Sequence, residues 1–238
     1  RIQKSFAFNN NELEMPLRDN SAFLTVGGHK LAWRRKTGSA QRAMDLLEGR
    51  FEFLNESLDL HDPVDWHLKF NANVSHLWQF QLHYNEFLLD LLAEAQSIGD
   101  PRFLIRAWDL VGQWIRGNRR DDPAVHQSAW HPYCISRRIP AWLFLWTHDP
   151  PANDLAVLVC RSMVAQLNYL AHHLEWDLRG NHLLENLRAL AFGGVFFTGS
   201  RAEHWLDQSH RILRKELVEQ VLPHGEHFER SPMYHAHV

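Results

Sequence analysis

Two segments of the chain hold polar side chains more densely than packing requires. One is Gly180-Asn181-His182-Leu183-Leu184-Glu185-Asn186, and the other runs from Gly225 through Glu229-Arg230-Ser231-Pro232-Met233-Tyr234-His235. An amide and an imidazole side by side can donate hydrogen bonds to an oxyanion, and a tyrosine can exchange a proton with carbon or oxygen when nearby cations ease its ionisation. A plainer reading of the first segment has Asn181 capping a helix, with His182 and Glu185, three residues apart, pairing on its surface. The second lies past a helix end, where loops gather exposed and functional residues alike. His224, His227, His235 and His237 offer imidazoles, but no Asp, Glu or Cys stands at a familiar zinc spacing such as H-E-x-x-H, so no metal is expected. Glu185 or Glu229 as acid with Asp177 as base would instead suit an inverting glycoside hydrolase.

The elements that must position these groups are helical from Ser75 onward. Phe80, Tyr84, Phe87, Leu91, Ala95 and Ile98 recur at three- and four-residue steps and predict one long amphipathic helix. Asp100-Pro101 opens a second helix, closed by Gly117-Asn118. A third covers about 134–148, a fourth carries Leu155 to Leu174 on one face, a fifth spans Asn181 to Thr198, and Ser200-Arg201-Ala202-Glu203 has capping-box form before a sixth. Short links make neighbours antiparallel, and the lack of a fixed sequence period favours an α/α toroid over a solenoid. The class is therefore all-α, an incomplete α/α toroid over 51–238. Residues 1–50 read as a partly irregular N-terminal arm, with a strand or two before residue 38.

A chain of 238 residues, 45% hydrophobic and 22% charged, can bury a substantial core. A formal net charge of -3 supplies no field for nucleic acid, and no run approaches the length of a membrane span, so any polyanion must be gripped locally. Two cysteines, Cys134 and Cys160, exclude a disulfide framework. The chain has no initiator Met, which reads as a piece of a longer protein. Its 10 Trp and 17 His suit sugar stacking and hydroxyl recognition. Most tryptophans on the helices should be core, and Trp130 is taken as a sugar platform. Arg119-Arg120 and Arg137-Arg138 read as solvated surface, although arginine's fork also suits carboxylate and sulfate groups.

The stretch from Leu77-Trp78-Gln79-Phe80-Gln81-Leu82-His83-Tyr84, through the Asn181-His182 segment, to Glu229–His235 resembles the heparinase II/III polysaccharide lyases and the related alginate lyases. The resemblance covers roughly residues 50–238. It implies a helical toroid followed by a C-terminal β-sandwich domain of the same full-length chain, with the active-site cleft between them. It also implies β-elimination on an acidic, uronic-acid-containing glycan in a periplasmic or secreted setting, without a cofactor in this half. Asn181, His182 and Tyr234 would be catalytic, and Glu185, Glu229, Arg230 and His235 would contact substrate or support those that do. A second acid/base would come from the sandwich. A glycan-binding or polysaccharide-biosynthesis module that kept the fold without turnover is the non-enzymatic alternative.

Overall fold

The structure, a computed structural model, describes residues 38–69, 73–125, 127–178 and 180–221. Among these, eight α-helices account for nearly all regular structure: α1 (Ser39–Leu47), α2 (His76–Tyr84), α3 (Leu88–Ile98), α4 (Arg102–Gly117), α5 (Pro132–His148), α6 (Asn153–His172), α7 (Gly180–Phe196) and α8 (Ser200–Gln220). A small antiparallel hairpin, β1 (Arg50–Phe53) and β2 (Glu56–Asp59), turns through Leu54-Asn55, both at positive φ. Strands foreseen before residue 38 lie outside the described residues, while 39–47, within the stretch read as an arm, forms a helix packed on α3 and α4.

The helices form two layers. In one, α5 packs against both α3 and α7; in the other, α6 packs against both α4 and α8; short hairpins tie α3 to α4 and α7 to α8 across the layers. This is the expected incomplete α/α toroid. No residue of α5 is exposed, as its central place requires. Trp78, Trp114, Trp142 and Trp205 are fully buried, so the tryptophans on the helices are indeed mostly core. Trp114 and Trp142 meet edge to face at 5.5 Å.

Three expectations need correction. The single long helix after Ser75 is two helices, broken at Asn85, whose backbone is left-handed (φ 54). Asparagine tolerates that conformation, and here its amide is used on both sides: Nδ2 donates to the Leu82 carbonyl at 2.9 Å, and Oδ1 accepts the Trp142 indole N–H at 3.0 Å. Apolar spacing runs through the break, so periodicity alone could not show it. At the start of α8 the capping box does not form: Gly199, at φ 100, is the cap, and Ser200 is already helical.

Arg137 and Arg138 are likewise not solvated surface. Arg138 is fully buried, donating to Gln166 Oε1 at 2.8 Å and to the carbonyls of His83 and Ala129 at 2.6 and 2.9 Å, with its guanidinium 3.9 Å from the Trp114 ring centroid. Burial with no carboxylate partner pushes its pKa down to about 9. It ties α5 to the end of α2, to α6 and to the loop before α5.

Candidate active site

Three helices contribute to one cleft of about 480 Å³. From α2 come His76, Phe80 and Tyr84, four residues apart and therefore on one face. Pro132 fixes the first turn of α5, and the His131 side chain caps it by accepting the Tyr133 N–H through Nδ1 at 3.2 Å. That start aims Tyr133 and Arg137, again four apart, at the cleft. Gly180 opens α7 at φ 51, a conformation that disfavours a Cβ, and sets Asn181 and His182 in its first turn, both half-buried and both lining the cleft.

His182 is held on two sides. Its ring lies against that of Tyr133, centroids 4.2 Å apart and planes tilted by 32°. Its Nδ1 lies 3.0 Å from Glu175 Oε1, in the link between α6 and α7. The pairing of His182 with Glu185 expected from their spacing is therefore not the one formed. Glu185 instead accepts from Arg137 Nη1 at 3.0 Å and pairs with Arg188. It is nearly buried, 4% exposed, and stands behind the cleft wall rather than in it.

Arg137 spans the two acids, with Nη2 2.9 Å from Glu86 Oε1. Burial alone would lower its pKa, but Glu86, Glu185 and Tyr133 outweigh that and raise it. The two tyrosines shift upward, each chiefly by burial and each against the opposing pull of Arg137, Tyr84 well above its ordinary range. Both remain phenols at neutral pH, able to donate a hydrogen bond and poorly placed to act as bases. His131 shifts downward, first by burial, then through His182 and His76, against the opposing pull of Glu175.

Asn181 and His182 are thus brought together at the cleft. Trp130 is not: it is 4% exposed, its indole N–H donates to the Asn118 carbonyl at 2.8 Å, and its ring meets Tyr169 edge to face. Glu229, Arg230, Tyr234 and His235 lie outside the described residues, as do His224, His227 and His237. Among the described residues no group of three or more His, Cys, Asp or Glu is placed to hold a metal ion, and no helix is long and apolar enough to cross a membrane. Asp177, the base a hydrolase would need, is exposed and does not line the cleft, and Glu185 is committed to two arginines. Reading the sequence missed Tyr133, Arg137 and Glu175. Tyr133, Ser136 and Arg137, polar groups three and four residues apart near the start of a largely apolar helix, were the signal for the first two; nothing in the spacing marks Glu175.

Comparison with known proteins agrees with this architecture. The family model described as Heparinase II/III N-terminus matches residues 29–238. A heparin-sulfate lyase of Bacteroides thetaiotaomicron is 23% identical over 163 residues, covering 66% of this chain and 23% of the relative. The heparin-sulfate lyase of Pedobacter heparinus is 26% identical over 166 residues, covering 66% and 24%. The chain therefore spans about a quarter of the length of these relatives. Among solved structures, heparan sulfate lyase HepC from Pedobacter heparinus superposes with a TM-score of 0.69 at 20% identity, over 87% of this chain and 37% of that one. A heparinase III structure gives 0.70 at 19% identity, over 88% and 37%.

Proposed function

The chain belongs to the heparinase II/III family, and from that premise we propose that it forms the helical wall of a polysaccharide lyase active site, cleaving uronic-acid-containing glycans by β-elimination. The observation that carries this reading is the placement of Asn181 and His182, adjacent in the first turn of α7, on one cleft wall beside Tyr133. Elimination removes the weakly acidic proton at C5 of the uronate, forms the C4–C5 double bond and expels the O4 group, which takes up a proton. Negative charge gathers on the carboxylate as C5 loses its proton, and preorganised donors there lower the barrier, each by a few kcal/mol. Asn181 and His182 supply such donors, and the positive end of the α7 dipole adds to them.

The proton itself needs another carrier. Burial keeps Tyr84 and Tyr133 protonated, so we assign proton transfer to Tyr234, with Arg230 and His235 beside it, and a second acid/base to a C-terminal β-sandwich domain that closes the cleft. Glu229 serves as an acceptor for sugar hydroxyls, and Glu185 as the buried anchor of Arg137. Periplasmic or secreted placement fits a polymer substrate. Heparan-type glycosaminoglycan is the first substrate to test, because the named relatives are lyases of it; alginate is the second. With full-length protein, a lyase yields a 4,5-unsaturated uronate read by ultraviolet absorbance, and His182→Ala abolishes it. New reducing ends without that absorbance would instead assign a hydrolase, and binding without either product a glycan-binding module.

A further inference from the structure

Glu175 has no part in the roles assigned so far, yet its side chain is only 8% exposed beside the cleft, within a hydrogen-bond chain whose direction two backbone groups dictate. The Glu175 N–H, which can only donate, points at Asn186 Oδ1 at 2.9 Å, and this fixes the amide's orientation. Asn186 Nδ2 is therefore turned to Ser136 Oγ at 2.8 Å and to Glu175 Oε2 at 2.9 Å. Ser136 can accept there because its own hydroxyl donates to the Pro132 carbonyl at 2.9 Å. Asn186 is wholly buried, so no water can reverse the order. At the other end of the chain, Glu175 Oε1 faces His182 Nδ1 at 3.0 Å. The carboxylate has only lone pairs to offer, so Nδ1 must carry the hydrogen.

We infer that Glu175, oriented by Asn186 and Ser136, is a positioning residue that holds His182 as its Nδ1–H tautomer and so makes Nε2 the atom that meets the substrate. This rests on the placement of His182 in the proposed lyase site. Its consequence is that neutral His182 presents a lone pair to the cleft and imidazolium presents a donor. Carboxylate donation by His182 therefore belongs to its charged form, whereas Asn181 donates in either state.

The Glu175→Gln variant tests this with little change in volume. Asn186 must still find an acceptor at position 175, so the glutamine carbonyl takes that place and its NH₂ turns to His182, forcing Nδ1 to accept and moving the ring proton to Nε2. We expect ¹⁵N spectra of the histidine-labelled full-length protein, with the His182 signals assigned by their loss in His182→Ala, to show Nδ1–H in the neutral wild-type ring and Nε2–H in Glu175→Gln. In the same variant Nδ1 accepts, so the ring meets the substrate carboxylate as a neutral Nε2–H donor rather than as imidazolium; that hydrogen bond is weaker, and kcat falls on the order of 10-fold while KM moves less than about threefold. An Nε2–H ring in the wild type, an unchanged tautomer in the variant, or an unchanged kcat overturns the proposal. If the variant does not fold, the wild-type spectrum alone decides. Wild-type protein that yields no unsaturated product overturns the lyase reading, a result separate from the tautomer.

Discussion

Arg137 reaches Glu86 at 2.9 Å along the cleft wall while its other terminal nitrogen holds the nearly buried Glu185 at 3.0 Å, so one guanidinium joins α5 to α7 and to the turn between α2 and α3. Arg137→Met leaves Glu86 without this partner and Glu185 with Arg188 alone. Breaking a largely buried ion pair in this way costs about 3–5 kcal/mol, measurable as a lower midpoint in urea unfolding. Arg137→Lys keeps the charge but not the fork and recovers only part of the loss. A change under about 1 kcal/mol in Arg137→Met would show that the pair is as weakly coupled as a surface one.

Acid sensitivity should trace to His83. It is wholly buried, its Nδ1 accepts the Trp114 indole N–H at 3.2 Å, and burial, followed by the charges of Arg138 and His67, holds its pKa well below the ordinary value. The unfolded chain takes up this proton near pH 6.5 and the folded chain only at lower pH. Stability from His83 is thus fully present above about pH 6.5 and falls as pH drops below it, by up to about 1.4 kcal/mol at pH near 5.5. His131, lowered less, adds in the same direction. His83→Asn keeps an acceptor for Trp114 and removes the proton, so its unfolding free energy should fall less steeply between about pH 7.5 and 5.5 than that of the wild type. Parallel pH curves for the two proteins would refute the assignment.

The α7–α8 hairpin is set by a close approach at Gly194. A Cβ there would meet the Ala202 carbonyl oxygen at 2.7 Å and the Leu206 backbone N at 2.9 Å, atoms that cannot move without shifting α8. At Gly193 the clash is instead with the tip of Leu167, which can change rotamer. Both alanines gain about 1 kcal/mol of helix propensity. Gly194→Ala should nevertheless lose about 1–3 kcal/mol net through overpacking, and Gly193→Ala should stay nearer neutral. Thermal or chemical unfolding of the pair would settle the order, and a more stable Gly194→Ala would contradict the packing.

Two tyrosines should separate kinetically. Tyr133 packs against His182 and stays a phenol, so Tyr133→Phe removes a hydrogen-bond donor from the cleft and should raise KM by a few-fold with a smaller effect on kcat. Tyr234→Phe, at the assigned proton carrier, should keep substrate binding and lower kcat on the order of 10²-fold or more. The reverse pattern would exchange their roles, and wild-type turnover in Tyr234→Phe would leave it a sugar contact.

Much of this was legible in the residues. Apolar spacing marked α4 to α8 to within a few positions of their observed ends, because a helix that buries one face must repeat its apolar residues every three or four. The Asn181-His182 motif marked the cleft because both residues lie in a single helical turn, where sequence neighbours remain spatial neighbours. What escaped notice depends on groups distant in the chain. The break at Asn85 is secured by Trp142, the depth of Arg138 by carbonyls of His83 and Ala129, and the partner of His182 is Glu175 rather than the better-spaced Glu185. Helical periodicity states which face of a segment is buried, and it is blind to which buried polar groups will meet. Burial makes an unpaired polar atom costly wherever it lies, and only the packing of α5 against α2, α6 and α7 selects the partner that each one finds.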